Sequence, residues 1–138
     1  MISVRKQEVV KLEDVLHLYQ AVGWTNYTHQ PQMLEQALSH SLAIYMALDG
    51  DAVVGLVRLV GDGFSSVFIQ DLIVLPCYQR QGIGSNLMKE ALGDYKDAYQ
   101  VQLVTDQTGK NLGFYRSLGF ETLSTFDCTG MIWVDRKR

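Results

Sequence analysis

A short glycine-containing segment carries the strongest chemical signal in the sequence. It reads Gln79-Arg80-Gln81-Gly82-Ile83-Gly84-Ser85 and lies between an apolar strand pattern and a helix pattern. Unpaired N–H groups at a helix N-terminus attract anions, and glycine lets a bulky anion approach the backbone closely. The segment therefore predicts a binding site for a phosphate-bearing ligand, to which Arg80 could add a charge-assisted contact. A plain strand-to-helix turn is the alternative that these residues alone leave open.

Two well-known phosphate-binding motifs do not fit this segment. No Gly-Lys-Ser/Thr ends it, so the segment is not a P-loop. No third glycine follows Gly84 at the spacing of a dinucleotide-binding fingerprint, and no acidic residue ends a following strand about 20 residues further on. The class of the ligand must therefore be inferred from other parts of the chain.

Strand and helix patterns alternate on both sides of the segment. Asp49-Gly50-Asp51 is a strong hairpin signal, and Pro76 ends the long strand that precedes the glycines. Periodicity predicts helices over 11–22, 31–40, 83–95 and 109–118, and strands over 2–5, 41–48, 52–60, 65–75, 101–104, 120–123 and 131–134. This order predicts an α+β (α/β-like) fold. Its mixed, mostly antiparallel central sheet would have about six to seven strands, flanked by about four helices.

Two motifs taken together resemble the GNAT superfamily of acetyl-CoA-dependent N-acetyltransferases. Val74-Leu75-Pro76 followed by Gln79 to Gly84 resembles the family's strand end and its Gln/Arg-x-x-Gly-x-Gly/Ala signature. Phe114-Tyr115-Arg116-Ser117-Leu118-Gly119-Phe120 resembles its second motif. The element order resembles the GNAT fold over nearly the whole chain, which implies a single GNAT domain over 1–138. Matches at 22–25, 70–74, 78–82 and 130–133 resemble bacterial relatives of plant plastid acetyltransferases that act on arylalkylamines and protein lysines.

The resemblance implies acetyl-CoA as co-substrate, with no metal. Backbone groups at the end of the long strand would pair with the pantetheine arm, and N–H groups from Gln81 to Ser85 would hold the pyrophosphate. Many relatives carry an asparagine where this chain has Thr108, so either Thr108 replaces that contact or the contact is lost. The implied cofactor-binding residues are Ile73, Val74, Gln79, Arg80, Gln81, Gly82, Ile83, Gly84, Ser85, Thr108 and Tyr115.

The resemblance also implies the catalytic residues. Tyr115 matches the family's general acid, a phenol that can protonate the departing thiolate of CoA. Asp71 is the candidate base for the acceptor amine, and the alternative is that it pairs with an inward arginine such as Arg58. Trp24 and Tyr27 could bind the acceptor substrate, although they could equally well cover the core. The implied reaction moves acetyl directly to a primary amine in a ternary complex.

Composition limits the other classes of function. The chain has 138 residues, enough for one domain, and its formal net charge of −3 disfavours nucleic-acid binding. The histidines do not show metal-ligand spacing, and Cys77 and Cys128 are expected to be free thiols in a cytoplasmic protein without a membrane span. A small-molecule amine or a protein amino group is the expected partner. The edge formed by strands 120–123 and 131–134 would allow a homodimer, since relatives often use it.

Two alternatives to small-amine acetylation stay open at this stage. One is a non-catalytic module that binds acyl-CoA or a partner, and the other is an enzyme that acetylates protein lysines or N-termini.

Overall fold

Five strands form one sheet in which neighbouring strands follow the order of the chain. The structure, a computed structural model, describes residues 1–134. The first four strands are antiparallel neighbours, and the fifth runs parallel to the fourth. The strands are β1 (Ile2–Gln7), β2 (Ala43–Asp49), β3 (Ala52–Gly61), β4 (Ser66–Val74) and β5 (Gln100–Leu103). The predicted fold class, α+β with a mixed and mostly antiparallel sheet, is confirmed, with fewer strands than expected.

Five α-helices lie within residues 1–134. They are α1 (Leu12–Ala21), α2 (Thr25–Thr28), α3 (Pro31–Ser39), α4 (Ile83–Asp94) and α5 (Gly109–Ser117). Four correspond to predicted helices, with ends shifted by at most one residue. The short helix α2 was not predicted because it is a single turn between two stronger helix patterns. Two 3₁₀ turns complete the set, Pro76–Tyr78 and Leu123–Phe126.

The contacts divide the chain into two compact units, each described here by itself. The first unit is Met1–Val104 and the second begins at Thr105. In the first unit, α1, α2 and α3 pack their apolar residues against one face of the sheet around Leu56 and Ile73. Helix α4 packs on the same sheet through buried Leu87 and Met88. Gly55 on β3 makes room for this helix, since an added Cβ would lie 2.9 Å from the Ile73 carbonyl oxygen and 3.3 Å from Leu87 Cδ1.

The two strands predicted near the C-terminus are wrong. Residues 120–122 have no regular secondary structure, Leu123 begins a 3₁₀ turn, and 127–134 have no regular secondary structure. Local hydrogen bonds replace a strand ladder here: the Asp127 N–H donates to the Ser124 carbonyl, and the Cys128 N–H donates to the Leu123 carbonyl. Asp127 then takes a left-handed conformation (φ 60°), which breaks any extended run.

Candidate functional site

Strand β4 separates from β5 halfway along its length. The two strands pair only from Ser66 to Ile69, whereas β4 continues to Val74. On the other side, the register with β3 steps from Arg58 opposite Asp71 to Leu59 opposite Ile69, so Gln70 is the extra residue of a bulge. A bulge bends the strand that contains it. In the part of the chain that the structure describes, no strand pairs with the outer side of β4 beyond Ile69.

Alternation along the ladder decides which backbone groups face this open side. The Leu75 N–H donates to the Val54 carbonyl at 2.9 Å. In an antiparallel ladder every second residue bonds to the same neighbour. The backbone groups of Ile73 therefore point to β3, and those of Leu72 and Val74 point outward.

This arrangement changes the predicted pair of binding residues. Val74 presents its backbone where the sequence prediction put it, and its carbonyl oxygen accepts a hydrogen bond from the exposed side chain of Gln79 at 3.1 Å. The groups of Ile73 are turned toward β3 instead. Leu72, which the sequence did not single out, has outward backbone groups like those of Val74, and the two-residue period of a strand identifies it once the register is known.

The loop after β4 leads into an exposed helix N-terminus. Gly82 is the N-cap of α4 in a left-handed conformation (φ 78°), and the first helical bond runs from the Asn86 N–H to the Gly82 carbonyl. The N–H groups of Ile83, Gly84 and Ser85 precede that bond. Among the described residues, no side chain caps this helix. The predicted segment Gln79 to Ser85 therefore ends in the first turn of α4, at the positive end of a helix dipole.

Arg80 also has an unusual backbone conformation. Its φ is 68°, in the left-handed region, which costs a residue with a side chain about 1 kcal/mol or more. Arg80 is exposed, and it lies two residues before Gly82, the N-cap of α4. Strain of this kind is common where a loop is shaped to bind a ligand.

Asp71 lies in the core of the first unit, not at its surface. It is 3% exposed, and both carboxylate oxygens accept hydrogen bonds. Oδ1 accepts from the Tyr27 hydroxyl at 2.9 Å, while Oδ2 accepts from the Tyr19 hydroxyl and from Arg58 Nε, both at 2.8 Å. The ion pair with Arg58, which the sequence left as the alternative, is present. The role of Asp71 as a base stays a prediction, and this geometry does not favour it.

The two tyrosines of this network remain protonated. Burial, followed by the charge of Asp71, raises the pKa of both Tyr19 and Tyr27 above the ordinary value. Both hydroxyls can therefore donate to the carboxylate throughout the physiological range. Tyr27 Oη also accepts from Arg58 Nη2 at 3.1 Å, so the four side chains form one connected group.

The predicted acceptor residues lie beside this network. The rings of Tyr19, Trp24 and Tyr27 form an aromatic cluster with centroid distances of 5.0 to 6.4 Å. Tyr27 is buried and its hydroxyl is engaged by Asp71, whereas Trp24 is only half-buried. Of the two, Trp24 is therefore the residue whose surface remains accessible to a ligand.

Tyr115 and Thr108 belong to the second unit. Tyr115 is half-buried on α5, and its ring makes edge contacts with Phe114 at 5.0 Å and Phe120 at 6.0 Å. Burial raises the pKa of Tyr115, which keeps the phenol protonated and able to donate. Thr108 is the N-cap of α5, where its Oγ1 accepts from the Asn111 N–H at 3.2 Å. The hydroxyl oxygen of Thr108 therefore already has a structural function.

The described residues offer neither a metal site nor a disulfide. Within residues 1–134, no group of three or more His, Cys, Asp or Glu side chains could hold a metal ion. Cys77 and Cys128 are both exposed, and neither forms a disulfide within residues 1–134. None of the helices described is both long and apolar enough to cross a membrane.

Comparison with known proteins identifies the family. The family model described as an acetyltransferase (GNAT) domain matches residues 40–122. A solved structure titled as a GNAT-family acetyltransferase from Streptococcus pneumoniae is 78% identical, covers 99% of this chain and 100% of its own, and superposes with a TM-score of 0.92.

Plant relatives are more distant and longer. GCN5-related N-acetyltransferase 1 of Arabidopsis thaliana, a chloroplast protein, is 26% identical over 97% of this chain and 68% of its own length. Serotonin N-acetyltransferase 2 of rice, also a chloroplast protein, is 27% identical over 66% of this chain and 48% of its own. The chain thus spans only half to two thirds of these relatives. Because the family model covers more than half of the chain, including strands β2 to β5 and the glycine segment, the chain belongs to the GNAT acetyltransferase family.

Proposed function

We propose that this chain is an N-acetyltransferase that moves acetyl from acetyl-CoA directly to a primary amine. The observation that carries the proposal is the open edge of β4 followed at once by the uncapped N-terminus of α4. Leu72 and Val74 offer backbone groups that an amide-containing pantetheine arm can use as a strand would. The N–H groups of Ile83, Gly84 and Ser85, with Arg80 beside them, suit a pyrophosphate.

The reaction needs one bond to form and one to break. The neutral amine nitrogen attacks the thioester carbonyl carbon, and the C–S bond then breaks to release the CoA thiolate. Tyr115 donates its phenolic proton to that sulfur, and the surplus proton of the amine leaves to water, from which the phenolate is reprotonated. In this proposal Asp71 does not take the proton, because both of its oxygens are already occupied.

The proposed acceptor is a small aromatic or alkyl primary amine. Three observations support this class: Trp24 is half-buried within an aromatic cluster, the rice relative is named as a serotonin N-acetyltransferase, and the net charge of −3 suits a cation. A protein lysine is the competing acceptor that the sequence resemblance leaves open.

The proposal is tested by thiol release from acetyl-CoA in the presence of an amine panel. We expect amine-dependent release with serotonin or phenylethylamine that exceeds release with a lysine-containing peptide. Faster acetylation of the peptide than of the small amines would instead identify protein lysines as the acceptor. No release with any amine, at saturating acetyl-CoA, would contradict catalysis.

A further inference from the structure

The first unit buries one ion pair in its core. Arg58 and Asp71 are the buried charged residues among those described, with 4% and 3% exposure. Burying charges is costly, and an apolar pair of similar volume would often serve stability as well or better. The position of this pair therefore calls for an explanation beyond stability.

The pair lies at the bulge where β4 leaves β5. Arg58 and Asp71 are register partners, and the register shifts immediately after them, at Leu59 opposite Ile69. Ile69 is also the last residue of β4 that pairs with β5. The ion pair thus joins β3 to β4 at the start of the open edge.

The network also connects this point to the helices of the same unit. Tyr19 on α1 and Tyr27 on α2 donate to Asp71, and Arg58 Nη1 donates to Ser41 Oγ at 3.2 Å. Every buried side-chain nitrogen and oxygen among residues 1–134 has a hydrogen-bond partner. A fully satisfied buried network of this kind favours a single geometry.

The same contacts leave Asp71 poorly placed to act as a base. A general base must reach the proton that it removes, directly or through one water. Three donors occupy the two oxygens, and the carboxylate is almost completely buried. Breaking those bonds during each turnover would leave a buried charge without its partners.

We propose that Arg58 and Asp71 are positioning residues that hold the bulged part of β4, so that its outer edge stays open for acetyl-CoA. The inference rests on the proposed function. Tyr27 and Tyr19 hold the Asp71 carboxylate in place through their hydrogen bonds. None of the four side chains in the network transfers a proton in the reaction. Loss of the network should let Gln70–Val74 move, without removing any group that touches the cofactor.

The test uses Asp71→Asn, Arg58→Gln and Tyr27→Phe, with Tyr45→Phe as the matched control. Tyr45 is also a buried tyrosine that donates to a carboxylate, that of Asp94 at 2.6 Å, but it is not part of the network at the bulge. We expect Asp71→Asn and Arg58→Gln each to weaken CoA binding about ten-fold at a temperature where both remain folded. The double variant should bind little worse than either single variant, because the two residues act as a unit.

Several outcomes would overturn the inference. Asp71→Asn that binds CoA like the wild type but loses turnover would make Asp71 a base. If Asp71→Asn and Arg58→Gln are less stable than the wild type but their folded molecules bind CoA with wild-type affinity, the pair contributes only to stability. An effect of Tyr45→Phe as large as that of Tyr27→Phe would remove the link to the bulge.

Amide hydrogen exchange provides a readout that does not need CoA. We expect exchange across Gln70–Val74 to accelerate in Asp71→Asn, while exchange across β1 and β2 stays close to the wild type. Unchanged exchange at Gln70–Val74 would overturn the inference even if the wild type failed to bind CoA, which by itself would overturn only the proposed function.

Discussion

Tyr115 is the single side chain on which the proposed chemistry depends most. Its phenol is half-buried between two aromatic rings, and burial raises its pKa, so that it is a proton donor at every pH where the protein would work. The motif around it could be found from sequence, because Phe114 and the Gly119-Phe120 pair stand at fixed spacing. Its surroundings could not be found in this way, because ring geometry depends on how the chain folds after α5.

Replacing Tyr115 by phenylalanine should lower turnover about 100-fold, within the range that general acids contribute. The affinity for CoA should stay within about two-fold, because the ring and its packing remain. Steady-state kinetics and calorimetric titration measure the two quantities separately. Tyr99→Phe is the control, since Tyr99 is 82% exposed and should tolerate the change. Wild-type turnover in Tyr115→Phe would remove this residue as the acid.

The network around Asp71 shows where residue-level prediction reaches its limit. An acidic residue in an apolar strand could be noticed from sequence, and Arg58 could be named as its alternative partner. The two tyrosines could not, because they lie 52 and 44 residues away from Asp71 along the chain. Only the packing of α1 and α2 on the sheet brings them to the carboxylate.

At the scale of elements, most helices and strands followed from periodicity. The feature that matters most for the site did not, because a bulge depends on the register between two strands rather than on the pattern within one. For the same reason, the outward direction of the Leu72 backbone groups could not be predicted from the sequence, because it depends on that register. The strands predicted over 120–123 and 131–134 failed for a related reason. An apolar alternating pattern forms a strand only where a neighbouring strand can pair with it.

The start of α4 provides an element-scale prediction. Gly82→Val should weaken CoA binding at least ten-fold, because a β-branched side chain disfavours the left-handed φ of 78° and projects where the anion would lie. Gly50→Val is the matched control: its φ is 62° and its surroundings are open in the same way, but it lies in the β2–β3 turn. Calorimetric titration of both variants with CoA gives the comparison. Equal losses of affinity would show that backbone strain alone, and not the anion site, caused the effect.

The turn before β4 predicts a pH-dependent stability. The Ser65 hydroxyl and the backbone N–H groups of Phe64, Ser66 and Ser65 donate hydrogen bonds to Asp62, and together they hold the pKa of its carboxyl well below the usual range. A carboxyl whose pKa is lowered by folding stabilises the protein above its unfolded pKa of about 4, and this stabilisation is lost as the pH falls below that value. Asp62→Ala should therefore be less stable than the wild type at pH 7.

Urea denaturation at pH 7 and at pH 3 tests this. The difference between the wild type and Asp62→Ala should shrink at the lower pH, and Asp51→Ala, an exposed acidic residue of the β2–β3 turn, should show little difference at either. A gap that stays constant or widens toward pH 3 would contradict the hydrogen-bonded carboxylate.

At the scale of the whole molecule, the first unit contains both parts of the proposed cofactor site. The open edge of β4 and the start of α4 are separated by a short loop, so one rigid sheet positions them together. Sequence resemblance was sufficient to predict the family and the co-substrate. It could not predict the acceptor, because the contacts of Trp24 and Tyr27 depend on how α1 and α2 pack on the sheet.

Titration of the purified protein with CoA is the most direct test of the proposed function, because acetyl transfer requires CoA to bind at the open edge of β4 and the start of α4. We expect a single saturable site with Kd in the micromolar range, and inorganic pyrophosphate should compete for it weakly. The Gly82→Val variant should lose this binding, while Gly50→Val should retain it. Absence of binding to the wild type at millimolar CoA would contradict the account.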